Sequence, residues 1–379
     1  MSNNMTEQIM SLPDLIRNEF DDLDSKIRNT FDFNEILSTK KIVITGCGDS
    51  YFAGLAAKLA FKTWARLPIE VASSLPAARY ELPAELAGFP NNPMVIGIST
   101  SGGVSRTIEA INIANEMGAM TVALTGNVSS KLAKAANKTI DCSIPSYNPA
   151  PGVLSYQISL LSLYLIALHF AEVREQMTMQ EADKLRAELK GSADLIEATI
   201  EKNAPIIKEL SETLKTHHNF HFVGDGPNYG TALFSAAKVI ESSGRYAAGQ
   251  DTEEWVHLEY FTSVDSDIPT FVISPGYRGH NLLAEIIPPM KRVGRIVIAI
   301  TPENDTSVAP HADYHLPVVG KISEIISPFV YQVAGNLFGA YLADATGASF
   351  FCSDVEAYQK NDDIRNSSIV TLQDIKKTS

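Results

Sequence analysis

A repeat within the chain limits its fold more than any other feature of the sequence. The segment IVITGCGDSY, residues 42–51, recurs as HFVGDGPNY at residues 221–229. Four residues are identical in the two copies and lie 178 positions apart, namely Gly46, Gly48, Tyr51 and Leu55 with Gly224, Gly226, Tyr229 and Leu233. Residues 122–125 then match 298–301 at a spacing of 176 positions. Matching landmarks whose spacing changes by only two positions along the copy predict a duplicated domain.

Each copy has the pattern of an α/β domain. A short β-branched run is followed by a glycine turn, a helix rich in Ala and Leu, and further apolar runs. These further runs are Met94–Ser99, Thr121–Thr125, Thr270–Ser274 and Ile296–Thr301. Because strands that alternate with helices form mostly parallel sheets covered on both faces, we expect two three-layer αβα domains.

The length of 379 residues suits two domains of ordinary size. We predict an N-terminal helical segment at residues 1–24, a first domain at 25–174 and a second domain at 216–360. Residues 175–215 are charged, have a helical period and contain little Gly or Pro, so they are predicted to form connecting helices. The polar residues 361–379 are expected to form an extended tail.

Charge and cysteine content exclude several classes of protein. The net charge of −13 would repel a polyphosphate backbone, so nucleic acid is not expected as a partner. The three cysteines lie far apart, which favours neither a disulfide framework nor a structural zinc site, and fits a cytoplasmic protein. The acidic residues 1–24 do not resemble a signal peptide. Residues 160–171 are apolar but too few to span a bilayer, which indicates a buried helix rather than a membrane span.

The glycine turn after the first strand resembles a dinucleotide-binding fingerprint but departs from it. Tyr51 stands where the third glycine belongs, and the next strand, residues 69–74, ends without the acidic residue that would hold a ribose. We therefore expect no nicotinamide or flavin cofactor. A turn-forming role for the glycines accounts for Gly224 and Gly226, but it does not explain Asp49 and Ser50.

A second loop is more specific. Residues 99–107 read STSGGVSRT and lie between an apolar strand and a predicted helix at residues 108–117. Hydroxyl groups combined with backbone N–H groups at a helix N-terminus suit a phosphate monoester. Helix capping by a single serine would leave the other hydroxyls unexplained. The second copy has Ser274-Pro-Gly-Tyr-Arg278 at the equivalent position, so one phosphate site per chain is expected.

The second copy carries candidate acid–base residues. Lys238 and Glu241 share a helix face one turn apart, and His257 follows Glu241 by sixteen positions. A carboxylate could move a proton between adjacent carbons of an open-chain sugar, and a histidine could open the ring. The alternatives are a solvated Lys–Glu pair and a histidine packed beside Trp255.

Other kinds of site have weaker signals. Glu254 and His257 could ligate a metal, but no third ligand is clustered with them, and His217, His218 and His221 precede a glycine turn. No metal is therefore expected. The chain also lacks the Gly-x-Ser-x-Gly elbow of an α/β-hydrolase.

The two glycine turns, the Ser99–Ser101 loop and the duplication resemble the SIS (sugar isomerase) domain. Over residues 25–370 the chain resembles the tandem-SIS isomerase half of glucosamine-6-phosphate synthase and its stand-alone relatives. The resemblance implies a phosphosugar site that contains the following residues of the first copy: Gly48, Asp49, Ser50, Ser99, Thr100, Ser101 and Ser105. It also implies Glu241 as the proton-shuttling base, His257 as the ring-opening acid/base and Lys238 as a charge-stabilising neighbour.

The chain departs from this family at three points. Val104 stands at the position of a threonine in the serine loop, with Ser105 beside it. Ile369 stands where the family has a lysine that forms a Schiff base with the sugar, and Lys376 and Lys377 lie further on. The glutaminase domain of the synthase is also not expected here.

The sequence thus predicts an enzyme that acts on an amino-substituted hexose 6-phosphate by proton transfer between C1 and C2. An isomerase, a deaminase and a fructosamine-6-phosphate deglycase all fit, and the alternative is a non-catalytic phosphosugar sensor. We expect Ser99 and Ser101 to hold the phosphate at one end of a cleft and Glu241 to act at the other. The resemblance also implies a homodimer with its active site near the subunit interface, and we expect no cofactor and no contact with a membrane.

Overall fold

The computed structural model describes residues 3–84, 92–262, 267–359 and 366–378. The chain divides into two compact units, each assembled from several segments. The first domain comprises residues 18–146, 155–186 and 360–379, and the second comprises residues 1–17, 147–154 and 187–359.

The first domain is built on five parallel strands. They are β1 (Ile42–Gly46), β2 (Ile69–Ser73), β3 (Met94–Ile98), β4 (Met120–Thr125) and β5 (Lys138–Asp141). The order across the sheet is β2-β1-β3-β4-β5. Its helices are α2 (Leu12–Thr30, which begins in the second domain), α3 (Phe33–Ser38), α4 (Asp49–Ala60), the short α5 (Ser74–Pro76), α6 (Ser105–Glu116) and α7 (Lys131–Ala135).

The second domain repeats this arrangement. Its strands are β6 (Asn219–Gly224), β7 (Tyr246–Gln250), β8 (Pro269–Ile273), β9 (Ile296–Pro302) and β10 (Tyr314–Val318), in the order β7-β6-β8-β9-β10. Its helices are α1 (Asn4–Met10), α10 (Pro227–Ser243), α11 (Thr252–His257), α12 (His280–Arg292) and α13 (Pro328–Thr346). The two sheets therefore have the same topology, which confirms the α/β fold class predicted from the repeat.

Complete burial explains why the central strands are apolar runs without alternation. Every residue of β1, β3, β4 and β8 is buried. A parallel sheet covered by helices on both faces excludes water from both sets of side chains. In the first domain, Val43, Val95 and Ala123 pack against apolar residues of α6, including Ile108 and Ile111.

Two long helices connect the sheets along the chain. They are α8 (Leu154–Val173) and α9 (Met179–Leu214). Among the described residues, α8 alone is long and apolar enough to cross a membrane, but 94% of its most apolar window is buried within the protein. This burial agrees with the prediction of a core helix. The single helix α9 occupies most of the stretch for which connecting helices were predicted.

The C-terminal residues differ from the predicted extended tail. Residues 372–378 form a helix, α14 (Leu372–Thr378), which packs against the core of the first domain through Leu372 and Ile375. Part of the predicted tail, including Asp363, which was expected to lie on a solvated surface, is outside the described residues. The sequence did not reveal this packing because the stretch is polar overall and has only two apolar residues on one face of a short helix.

Two buried histidines are expected to make the stability of the protein depend on pH. Burial lowers the pKa of His169, on α8, and of His221, on β6, from 6.5 to about 4 because desolvation disfavours the imidazolium. Between pH 6.5 and pH 4 the unfolded chain therefore binds more protons than the folded one, and the free energy of unfolding falls as the pH falls. The expected loss is about 1.4 kcal/mol per pH unit for each histidine.

Urea denaturation at a series of pH values measures this dependence. The variant His169→Phe should show a shallower dependence than the unchanged protein. The exposed Met179 provides the control, because Met179→Phe adds an aromatic ring without removing an ionisable group and should leave the dependence unchanged. An equal slope for His169→Phe and the unchanged protein would show that His169 is not the group responsible.

Candidate functional site

Sheet topology brings the glycine turn and the serine loop of the first domain together. Strands β1 and β3 are parallel neighbours, and Gly46 at the end of β1 pairs with Ile98 at the end of β3. The chain leaves β1 towards β2 on one side and leaves β3 towards β4 on the other. Ligands of open α/β sheets bind at such a switch point, beyond the carboxyl ends of the strands. The predicted residues 48–50 and 99–105 thus lie at one edge of one sheet.

The first wall of this site is the turn from β1 into α4. A Cβ atom on Gly46 would lie 2.6 Å from the Cβ of Ser50, so this position requires glycine. Gly48 has a φ of 54°, which side chains disfavour, and it precedes α4 without a side-chain cap. The first N–H groups of α4 are therefore not bonded by a capping side chain, and Asp49 and Ser50 form the first turn of the helix.

The second wall is the serine loop, whose hydroxyl groups are largely uncommitted. Ser99 is only 3% exposed, yet within the described ranges its hydroxyl forms no hydrogen bond. The same is true there of the hydroxyls of Ser50, Thr100 and Ser105. Ser101 Oγ accepts a bond of 3.3 Å from the Gly103 N–H. Val104 precedes α6 and provides no side-chain cap, so the first turn of α6 also offers free N–H donors.

The loop is held in place by residues that sequence reasoning missed. The carbonyl oxygen of Thr100 accepts bonds from Gly126 N, at 3.0 Å, and from Thr125 Oγ1, at 3.3 Å. Gly102 has a φ of 62°, and a Cβ atom there would overlap Ser130. These contacts join residues about 25 to 30 positions apart, and only the pairing of β3 with β4 brings them together. They pre-organise the loop before any ligand binds.

This edge of the sheet can bind an oxyanion without a lysine. Two helices, α4 and α6, begin there with uncapped N–H groups, and their dipoles favour negative charge. Arg106, in the first turn of α6, is committed to another contact, because its guanidinium binds the buried carboxylate of Glu109. Arg79 binds the same carboxylate at 2.8 Å. Hydroxyl and backbone donors therefore provide the chemistry of this site.

The candidate acid–base residues of the second domain form a close pair. Lys238 and Glu241 lie on α10, and Lys238 Nζ donates a bond of 2.5 Å to Glu241 Oε2. Lys238 is fully buried and also lies over the ring of Phe234, at 4.8 Å from its centroid. Glu241 remains one-third exposed. The alternative of a solvated Lys–Glu pair is therefore wrong, because a buried ammonium requires a partner of opposite charge.

The structure does not join His257 to this pair. His257 is the last residue of α11 and its side chain is 65% exposed, with Nε2 at 3.1 Å from the Glu253 carboxylate. Trp255, two residues earlier, is completely buried and anchors the helix. His257 is therefore not packed beside Trp255, and its imidazole faces outward. In the described ranges it makes no hydrogen bond to Glu241.

The C-terminal segment runs along α6 from its first turn to its last. Arg106 contacts the carbonyl oxygen of Ser368, and Leu372 N donates a bond of 3.2 Å to Glu116 at the end of the helix. Ile369, at the position of the family lysine, lies between Ser368 and Val370, whose N–H donates a bond of 3.0 Å to Glu109 of α6, and Ile369 is 43% exposed.

The two candidate replacement lysines are on α14. Lys377 Nζ pairs with Asp374 of the same helix at 3.8 Å. Within the described residues no hydrogen bond or ion pair joins Lys376 or Lys377 to the serine loop.

No group of three or more His, Cys, Asp or Glu residues in the described part of the chain is arranged to hold a metal ion. Glu254 and His257 accordingly gain no third ligand there. His221 lies within β6, as expected, and accepts a bond of 3.4 Å from the indole N–H of Trp255.

Comparison with known families agrees with this architecture. The family model of the SIS domain matches residues 35–170 and 213–334. The two matched segments make up more than half of the chain, and each contains all five strands of one sheet. The chain belongs to the SIS domain family. The resemblance noted from the serine loop and the repeat is therefore confirmed, and the two units are SIS domains.

Curated relatives include glutamine–fructose-6-phosphate aminotransferases (isomerizing). The enzyme of Mycolicibacterium paratuberculosis is 28% identical over 322 residues, which are 83% of this chain and 50% of that protein. The enzyme of Thermococcus kodakarensis is 26% identical over 313 residues, with the same coverage of 83% and 50%. The chain thus spans about half the length of these relatives.

Solved structures share the fold at low sequence identity. The C-terminal domain of glucosamine-fructose-6-phosphate aminotransferase from Francisella tularensis superposes with a TM-score of 0.79 at 18% identity, covering 92% of this chain and 98% of that one. Glucosamine-6-phosphate deaminase from Thermotoga maritima gives a TM-score of 0.63 at 19% identity, covering 89% and 96%. The chain therefore shares the fold of these proteins.

Proposed function

We propose that the protein is an enzyme that acts on an amino-substituted hexose 6-phosphate by proton transfer between C1 and C2. The observation that carries this proposal is the group of uncommitted hydroxyls at the switch point of the first sheet. Ser99 is 3% exposed, and its hydroxyl, which no protein group engages within the described residues, is available to a ligand at this edge of the sheet. A phosphate monoester offers the acceptor oxygens that these hydroxyls and the N–H groups of two helices require.

Glu241 is proposed as the base that moves the proton. Its carboxylate is partly open to solvent, while the ammonium of Lys238 fixes its position. In the proposed step the carboxylate accepts a proton from one of the two carbons of the open-chain sugar and returns it to the other. His257 is proposed to open the sugar ring. Because its exposed position suits a role at a subunit contact, we also propose a homodimer. The cytoplasmic location of the protein stays a prediction.

Ile369 removes Schiff-base formation at this position from the proposed mechanism. An aliphatic side chain cannot form a Schiff base, and within the described residues no hydrogen bond or ion pair joins Lys376 or Lys377 to the serine loop. The proposal therefore requires only acid–base steps from the protein, as in an isomerase, a deaminase or a deglycase. The same substitution favours the second candidate, a phosphosugar sensor that binds its ligand without turnover.

An assay with three substrates separates these functions. The protein is incubated with fructose 6-phosphate, glucosamine 6-phosphate and a phosphorylated fructosamine, while sugar interconversion, ammonia and released amine are followed. Turnover of one substrate is expected and identifies the reaction. Binding of all three without turnover would favour the sensor. If none of the three binds, the proposal of a phosphosugar-processing enzyme is wrong.

A further inference from the structure

The second domain has a large cavity of its own at the carboxyl edge of its sheet. Its volume is about 1000 Å³, and its walls are the loops after β8, β9 and β10 together with Tyr331 of α13. None of the residues proposed above for phosphate binding or acid–base chemistry lines it. The residues of this cavity thus differ from those of the serine loop and from Lys238 and Glu241.

Tyr331 contributes to the wall a hydroxyl that the protein does not engage. It is 2% exposed and lines the cavity, but in the ranges that the structure describes its hydroxyl has no hydrogen-bond partner. The other tyrosine of the wall differs, since Tyr277 donates a bond of 3.0 Å to the carbonyl oxygen of Ile322. The Tyr331 hydroxyl opens onto the cavity, where it can donate to, and accept from, a ligand.

The remaining groups of the wall combine donors and acceptors. Glu303, Asn304 and Thr306 lie on the exposed loop after β9, and Lys321 lies on the loop after β10. Within the described part of the chain Lys321 forms no ion pair. A ligand hydroxyl both donates and accepts hydrogen bonds. It can therefore pair with the carboxylate, amide, hydroxyl and ammonium groups of this wall.

Asp305 and His280 make the wall rigid rather than reactive. Asp305 accepts bonds from the N–H groups of Ser307 and Ala309, both at 2.9 Å, and from His280 Nε2 at 3.1 Å. The other ring nitrogen of His280 is bonded to Ser274 Oγ at 2.9 Å. Every polar atom of these two side chains is thus engaged by the protein.

Ser274 occupies in the second copy the position that Ser99 occupies in the first, and the two serines differ in their hydrogen bonds. Ser274 N donates to the Ile300 carbonyl at 3.1 Å, as Ser99 N donates to Leu124 at 3.1 Å. The hydroxyl of Ser274, however, is bonded to His280, whereas that of Ser99 is uncommitted. Two carboxylates, Glu303 and Asp305, also lie in the wall. This wall therefore disfavours a phosphate dianion.

We propose that the cavity of the second domain binds a neutral polyhydroxylated molecule, a sugar or polyol of mono- to disaccharide size. Tyr331 donates to one hydroxyl oxygen of the ligand, and the loop after β9 accepts from others. This site is independent of the proposed phosphosugar chemistry and adds a second ligand to the protein.

Saturation-transfer NMR with fructose, glucose, N-acetylglucosamine, maltose and sorbitol tests the proposal. The full chain carrying Ser99→Ala and Ser101→Ala is used so that the serine loop does not contribute. At least one of these probes is expected to bind, and inorganic phosphate is expected not to. Thr306→Trp, on the exposed loop, should fill the cavity and abolish binding, whereas Thr306→Ser should retain it. Tyr331→Phe should weaken binding about fivefold, the effect of one lost hydrogen bond.

Three results would overturn the proposal. One is the absence of binding for all five probes. Another is binding that Thr306→Trp leaves intact, which would place the ligand elsewhere. The third is binding of inorganic phosphate that Thr306→Trp abolishes, because the cavity would then be an anion site. Circular dichroism of each variant establishes that it is folded before it is assayed.

Discussion

Replacing Glu241 by glutamine is expected to lower kcat by about 10²–10⁴-fold while substrate binding is retained. The amide keeps a hydrogen-bond acceptor for Lys238 Nζ but cannot take up the proton from carbon. Exchange of the C1 or C2 hydrogen with deuterium from solvent measures the step directly. We expect this exchange to fall as far as kcat does, since both require the same base.

The control for this variant is Glu201→Gln, at an exposed position of α9 that is not near any proposed site residue in sequence. It should exchange deuterium at the rate of the unchanged protein. Because Lys238 is buried, the thermal stability of Glu241→Gln must also be measured, so that loss of folded protein is not counted as loss of catalysis. Exchange within a few fold of the unchanged rate in folded Glu241→Gln would remove Glu241 as the base.

The variant with both Ser99→Ala and Ser101→Ala is expected to bind a hexose 6-phosphate about 100-fold more weakly or worse. Each hydroxyl bonded to a charged phosphate contributes about 1.5–3 kcal/mol, and the two losses together exceed a hundredfold in the dissociation constant. Titration calorimetry with fructose 6-phosphate measures the change. The loss should be much smaller for unphosphorylated fructose, because that sugar has no group to occupy the site.

A matched pair of serines tests whether the effect is local. Ser349→Ala with Ser353→Ala removes two hydroxyls from a loop of the second domain and should leave the affinity unchanged. The fold of the serine-loop variant is not expected to suffer, since the Ser99 hydroxyl makes no hydrogen bond within the described residues. Unchanged affinity of the Ser99 and Ser101 variant would show that the phosphate binds elsewhere.

The fold could be predicted because its signals are local and repeated. Apolar runs such as residues 94–98 are fully buried strands, and the glycine turns require glycine for steric reasons that hold in any such turn. Because the pattern occurs twice, the same arrangement of strands is expected in both domains. The two sheets do have the same strand order. The predicted helix after the serine loop begins at Ser105 rather than Ile108, since helix starts vary with capping.

The chemistry of the candidate site was only partly predictable. The hydroxyls of the serine loop are visible in the sequence, but whether they bond to the protein or remain uncommitted depends on residues such as Gly126 that only the sheet brings near. The spacing of Lys238 and Glu241 fits a solvated pair as well as a buried one. Burial distinguishes the two, and burial is a property of the folded domain.

Two features depend on long-range packing and left no pattern in the sequence. The contacts of Arg106 with Ser367 and Ser368 of the C-terminal segment join residues about 260 positions apart. The cavity beside Tyr331 is formed by three loops and one helix, and no single stretch of sequence contains its wall. Such sites follow from the assembled domain rather than from a motif.

The central claim is that the serine loop of the first SIS domain holds the phosphate of a sugar phosphate, and a crystal structure of the protein soaked with fructose 6-phosphate tests it most directly. We expect phosphate oxygens at about 2.5–3.0 Å from the hydroxyls of Ser99 and Ser101 and near the first N–H groups of α6. A sugar phosphate bound elsewhere, with the serine loop empty at saturating ligand, would contradict the account.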